Sequence, residues 1–280
     1  MSWFGALRPQ GGARPLDYDL AYANADFIPN AMAYPPRWAQ EAEAFRAARK
    51  DLVRLAIPYG AAARQAFDLF LPDGDPLGVV VFVHGGYWLR FGRQDWSAFA
   101  AGPVARGWAV AMLSYTLAPE ARIGEITREI VAAIEAVAAE VPGPIALTGH
   151  SAGGHLVSRM NCYDVALSDD VAARLARIVP ISPVADLRPL LRTKMNADLR
   201  LDMAEAEAES PALCLVSRGV DTRVWVGAEE RPAFLDQAMW LTEAWDEARL
   251  HVDPGRHHFD VIDGLADPES RLVADLVGPD

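Results

Sequence analysis

The segment Gly149-His150-Ser151-Ala152-Gly153 constrains this chain more than any other. It follows a short apolar run at 145–148 and leads into a stretch that reads as a helix over 151–164. A G-x-S-x-G string alone is short enough to arise by accident. Between a strand and a helix it describes a sharp, strained turn. Such a turn lifts the Ser151 hydroxyl above the end of a sheet, and small residues at 149 and 153 let neighbouring backbone come close. The N-terminus of the following helix favours negative charge beside that hydroxyl. The plain alternative is a serine that only caps the helix; the strand-turn-helix context favours an exposed nucleophile.

The rest of the chain supplies the sheet that this turn needs. Residues 78–83 and 108–114 are continuous apolar runs, as expected of strands buried on both faces. Further strands are predicted at 52–57, 65–71, 177–182, 222–227 and 249–253, the second stopping at the turn Pro72-Asp73-Gly74. Helices are predicted at 36–51, 95–106, 122–141, 232–247 and 264–277. In 122–141, Ile123, Ile126, Ile130, Ile134, Val137 and Val141 form one stripe. This alternation predicts an α/β fold, a mainly parallel twisted sheet flanked by helices. Residues 1–50, rich in Ala, Pro and Tyr, read as an N-terminal arm packed on a main domain at 51–280. Short helical pieces over 186–209 break the alternation, and a small or minimal lid is expected there. With 280 residues, 51% hydrophobic and 23% charged, the chain has material for one large core.

Charge and composition exclude other classes. A formal net charge of −12 argues against a nucleic-acid surface. No apolar run approaches the ~20 residues that span a bilayer, so no membrane is expected as partner. Residues 1–10 lack a basic region followed by an apolar stretch, so a cytoplasmic protein without a signal peptide is expected. Cys162 and Cys214 form no close pair in the sequence; two reduced thiols are expected, with no metal or redox motif. A homodimer is left open.

Around Ser151, three further groups of residues suit acyl transfer. His84-Gly85-Gly86-Tyr87-Trp88 follows the strand 78–83 directly. A tetrahedral oxyanion needs fixed N–H donors, each worth roughly 2.7–4 kcal/mol. The donors are assigned to Gly86, Tyr87 and Ala152, with Gly85 shaping the loop. Tyr87 and Trp88 are assigned to substrate binding, whereas Trp225 reads at least as well as core. Met195 and Met203 could line a lid or fill gaps. The base must be a histidine late in the chain. His155 sits one turn beyond Ser151 and His251 within a strand, so the base is one of His257 and His258, with His258 preferred. The orienting carboxylate should follow the strand 222–227, where Glu229 and Glu230 both stand, flanked by Asp221 and Asp236.

With these residues in place, the chain resembles the kynurenine formamidase (arylformamidase) branch of the α/β hydrolases. His84-Gly-Gly-Tyr-Trp88 and Gly149-His-Ser-Ala-Gly-Gly-His-Leu156 are similar to that branch. So are Tyr59-Gly60, Phe67-Asp-Leu-Phe-Leu-Pro72, Ile181-Ser182, Asp186-Leu-Arg-Pro-Leu190 and His258-Phe259. The branch carries an acid, one residue, then Pro-x-Phe and a Gln a few positions on. Glu230-Arg-Pro-Ala-Phe234 with Gln237 matches, so the resemblance implies Glu230 as acid and His258 as base. Animal members carry Asp where Glu230 stands, and Pro183-Val-Ala185 replaces a Gly and an aromatic. The resemblance implies an α/β-hydrolase fold and a small-molecule substrate, an aryl formamide such as N-formylkynurenine, cleaved by Ser151, His258 and Glu230 without metal or organic cofactor. A carboxylesterase for small acyl esters would use the same residues. A non-catalytic binding protein on this fold would be expected to lack one of the three.

Overall fold

The computed structural model describes residues 16–278 except Ser217; the residues 1–10 read for a leader, and the first part of the arm, lie outside them. Eight strands form one sheet: β1 (Val53–Pro58), β2 (Ala66–Phe70), β3 (Val79–Val83), β4 (Ala109–Leu113), β5 (Ile145–His150), β6 (Leu175–Ile181), β7 (Asp221–Gly227) and β8 (Ala248–Asp253). Their order is β1-β2-β4-β3-β5-β6-β7-β8. The β1-β2 and β2-β4 pairs are antiparallel and the others parallel.

The central strands β3 and β4 are apolar throughout because both faces are covered. Val79, Val81 and Val83 face one core cluster with Leu147 and the helix Ile123–Glu140. Val80 and Phe82 face the other, with Val110, Met112 and Trp96. The six apolar residues of the predicted stripe, Ile123 to Val141, are all buried. Burying one such side chain is worth about 1.5–3 kcal/mol.

Three predicted helices come out differently. The 95–106 segment is two short 3₁₀ turns and the helix Ala101–Ala105, because Pro103 lacks the N–H that a longer helix would use and fits only a first turn. The helix after Ser151 ends at Arg159, since Cys162 pairs with Val216 and Tyr163 N–H bonds Leu215 O at 2.8 Å. The C-terminal helix is interrupted around Pro268, leaving Asp263–Ala266 and Arg271–Val277. A helix Asp169–Arg174, not anticipated, is capped by the Ser168 hydroxyl. No helix among the described residues is long and apolar enough to cross a membrane.

Candidate active site

The β5 chain leaves the sheet at Ser151 with φ 55° and ψ −114°, a region that L-residues rarely occupy. Its N–H still bonds Ile181 O at 2.8 Å, so the turn is held against β6 while the helix Ala152–Arg159 starts at once. A side chain at Gly153 could not be accommodated: its Cβ would lie 1.9 Å from Val83 O. Gly85 is equally pressed, its Cβ position 2.7 Å from His150 O and 3.2 Å from Ser151 Cβ. The His84–Trp88 loop therefore lies directly beside the turn.

That loop is bent by positive φ at Gly86 (109°), Tyr87 (57°) and Trp88 (59°). Tyr115 Oη donates to His84 O at 3.0 Å, and the His84 ring stacks on Tyr115. Among the described residues, the amides of Gly86, Tyr87 and Ala152 donate to no other group. Strain that leaves amides free at one place is how an oxyanion site is preorganised.

Of the four histidines after Ser151, His258 meets a carboxylate deep in the protein. Its Nδ1 lies 2.6 Å from Glu230 Oε2, with side-chain exposures of 4% and 0%. The other oxygen, Oε1, accepts from Gly227 N–H at 2.9 Å and from the Ser182 hydroxyl. Glu229 is exposed. His257 turns away: its Nε2 bonds the Tyr34 hydroxyl at 3.0 Å and its Nδ1 lies 3.1 Å from Asp260. His251 packs on Trp225 at 3.9 Å between ring centres, and Trp225 itself is buried. His155 is fully buried, bonds Glu209 O at 2.6 Å, and burial pushes its pKa down to about 3.

The neighbour of the serine ties His258 to the turn. His150 Nε2 bonds His258 O at 2.8 Å, and the two rings stand 4.7 Å apart. Burial, then the closeness of His258, holds the His150 pKa well below its ordinary value. A neutral His150 donates to the carbonyl and fixes the loop that carries His258 against the serine turn. Neither this link nor the Ser182 hydroxyl was anticipated; the positive φ of Ser182 (49°) has no sequence signature.

Ser151 and His258 open into one cavity of about 380 Å³, within the range of small-molecule sites. Tyr87, Phe91, Trp96, Trp38 and Phe259 give it aromatic walls. Its roof comes from the N-terminal arm, residues 19–38, whereas the 186–209 segment contributes Met195. Met203 is exposed and does not line it. Trp88, assigned to substrate binding with Tyr87, does not line the cavity: it is fully buried in the core and its ring meets His155 edge-on at 5.2 Å. The turn Gly86–Leu89 points Tyr87 toward the cavity and its neighbour inward. Tyr87 also holds the roof. Its hydroxyl donates to Tyr22 O at 2.9 Å and accepts from Asn24 Nδ2 at 3.1 Å. Gln237, fully buried, donates to the Tyr22 hydroxyl at 2.7 Å and accepts from the Ala185 and Asp186 amides.

Residues 80–258 match a family of the α/β-hydrolase fold. The chain is 30% identical to the kynurenine formamidase of Danio rerio over 241 residues, 79% of this chain and 81% of that protein. A provisionally assigned thioesterase from Silicibacter sp. TM1040 has a crystal structure that superposes with a TM-score of 0.91 at 54% identity, covering 93% of this chain and 99% of the other. Esterase B of Lactobacillus rhamnosus shares the fold at 18% identity and a TM-score of 0.65, over 85% of this chain and 88% of its own. A non-catalytic binding protein is thereby set aside, and the chain belongs to the α/β hydrolases, as an enzyme of their formamidase and esterase branch.

Proposed function

We propose that this chain is a cytoplasmic serine hydrolase that cleaves an aryl formamide, N-formylkynurenine or a close analogue, to the amine and formate. The observation that carries the reading is the aromatic cavity that Ser151 and His258 line together with the arm, His258 being backed by the buried Glu230. The similarity to a kynurenine formamidase over most of both chains supports it. Ser151 attacks the formyl carbon while His258 Nε2 takes its proton, and Glu230 holds the imidazolium. The Gly86, Tyr87 and Ala152 amides receive the oxyanion. His258 then protonates the leaving amine. Water, activated by the same imidazole, releases formate from the formyl-enzyme.

A second reading has one observation in its favour: the 54% identical relative is provisionally assigned as a thioesterase. Ester or thioester hydrolysis would use the same residues. Purified protein is to be offered N-formylkynurenine, p-nitrophenyl acetate and an acyl thioester side by side. A kcat/KM for the formamide above those of the other two is expected. Ester or thioester turnover without formamide turnover overturns the formamidase reading and leaves the serine mechanism standing. Failure of a fluorophosphonate to label Ser151 overturns both.

A further inference from the structure

Cys162 and Cys214, far apart in sequence, meet in the fold beyond the far end of the helix Ala152–Arg159. Their sulfurs and a carboxylate oxygen of Asp164 lie within 4.8 Å of one another. Both thiols are free, Cys162 fully buried and Cys214 half-buried. Three atoms of this type in such a cluster also suit a soft cation, but the position is already occupied by positive charge. The buried Arg159 guanidinium reaches Cys214 Sγ at 2.8 Å and both oxygens of Asp164, one at 3.1 Å, with its Nε on Glu209 at 3.1 Å. An arginine placed this way repels a metal ion and stabilises a thiolate. Cys214 also lines a second cavity of about 350 Å³, with Leu215, Val216 and Trp245, which gives a small oxidant a route to its sulfur.

We propose that Cys214 and Cys162 form a peroxide-reactive dithiol, Cys214 being the attacking sulfur and Cys162 the resolving one. The Cys214 thiolate displaces hydroxide from hydrogen peroxide, giving a sulfenic acid; hydroxide takes up a proton to become water. The Cys162 thiol then attacks the sulfenic sulfur, a second water leaves, and a disulfide forms. Two thiols are oxidised by two electrons and one peroxide is reduced to two waters. The nearby Cys162 thiol and the Arg159 charge hold Cys214 below the ordinary thiol pKa against burial and the charges of Asp164 and Glu209. The closeness of Cys214 and burial push Cys162 up, as suits the partner that waits as a thiol. After oxidation Arg159 keeps Asp164 and Glu209, so no buried charge is orphaned. The two sulfurs need only close from within 4.8 Å to bonding distance, with Cys214 on an irregular segment next to the bridge Cys162-Val216.

The test treats the full-length protein with hydrogen peroxide and reads free thiols, intact mass and a non-reducing peptide map. The expected result is the loss of both thiols together, the mass of two hydrogen atoms, and one peptide joining Cys162 to Cys214 within a single molecule. A free thiol is only a few per cent ionised at neutral pH, so the reaction is expected several-fold faster than that of free cysteine, its lower intrinsic nucleophilicity offsetting part of the gain. Cys162→Ala should stop at a sulfenic acid on Cys214 that dimedone traps, and Cys214→Ser should leave Cys162 unreactive. Thiols that stay free at excess peroxide, or a disulfide formed only between molecules, overturn the proposal. So does a zinc titration in which one bound ion shields both thiols.

Discussion

Substituting Glu230→Gln tests the assignment of the base through its proton rather than its position. Glu230 is completely dry, and its two oxygens have different work. Oε1 accepts from two donors, the Gly227 amide and the Ser182 hydroxyl. In the glutamine those donors require the carbonyl oxygen to stay where it is, so the NH₂ group must occupy the Oε2 position, 2.6 Å from His258 Nδ1. Two facing N–H groups cannot coexist at that distance between side chains this deeply buried. His258 is therefore driven to the tautomer with its proton on Nε2, where it cannot accept one from Ser151. The equivalent substitution in a serine protease triad lowers kcat by about 10⁴-fold, or roughly 5 kcal/mol of barrier, and a similar loss is expected here with KM little changed. The assay is steady-state hydrolysis of p-nitrophenyl acetate and N-formylkynurenine, with far-ultraviolet circular dichroism to show that the variant is folded. Glu229→Gln, on an exposed residue, is the control and should match the parent. Glu230→Gln activity within tenfold of the parent would refute the tautomer argument; equal losses in both variants would refute the choice between the two carboxylates.

Three further outcomes follow from the same geometry. Tyr87→Phe removes the hydroxyl that meets Tyr22 O and Asn24 but keeps the Tyr87 amide, so roof docking weakens by about 1–3 kcal/mol and KM should rise with kcat held; a fall in kcat alone would contradict this. Gly153→Ala puts a Cβ 1.9 Å from Val83 O, a backbone atom that cannot yield, so a loss of about 4 kcal/mol or more is expected in urea unfolding; near-parental stability would refute the packing argument. Burial pushes His84 and His155 to about 3 and His150 well down, so all three are neutral when folded, while the unfolded chain protonates them below about 6.5. The unfolded state then binds more protons, and stability should fall as pH drops from 6.5 toward 3, by up to about 1.4 kcal/mol per pH unit for each histidine; urea unfolding that is flat between pH 7 and 5 would refute it.

What the sequence made legible was whatever local rules decide. The apolar runs of β3, β4 and β5, the stripe on Ile123–Glu140 and the turn at Ser151 each follow from residues within a few positions of one another. The helix ends were less legible because tertiary contacts set them: nothing near Arg159 announces that Cys162 and Tyr163 pair with a segment around Val216. The choice of His258 over His257 illustrates the same limit. Both sit in one loop, and they are told apart by Glu230 on one side and Tyr34 of the arm on the other.

The roof of the cavity is the strongest case. A lid was expected between residues 186 and 209, where the strand-helix alternation breaks, yet the arm supplies most of the cover. The arm residues carry no motif, and their placement rests on polar contacts across very long stretches of chain: Tyr22 to Tyr87 and Gln237, Asn24 to Tyr87, Tyr34 to His257. Two of these anchors, Tyr87 and His257, adjoin residues assigned to the oxyanion site and the base. Cover and chemistry are thus built on the same two loops. Substitutions that adapt the roof to a different acyl or leaving group can then be accommodated at positions 19–38 without touching Ser151, Glu230 or His258. Swapping the arm between this chain and a formamidase or an esterase of the branch should move substrate preference while leaving fluorophosphonate reactivity of Ser151 in place. If preference instead followed the 186–209 segment, the roof would not be what selects the substrate.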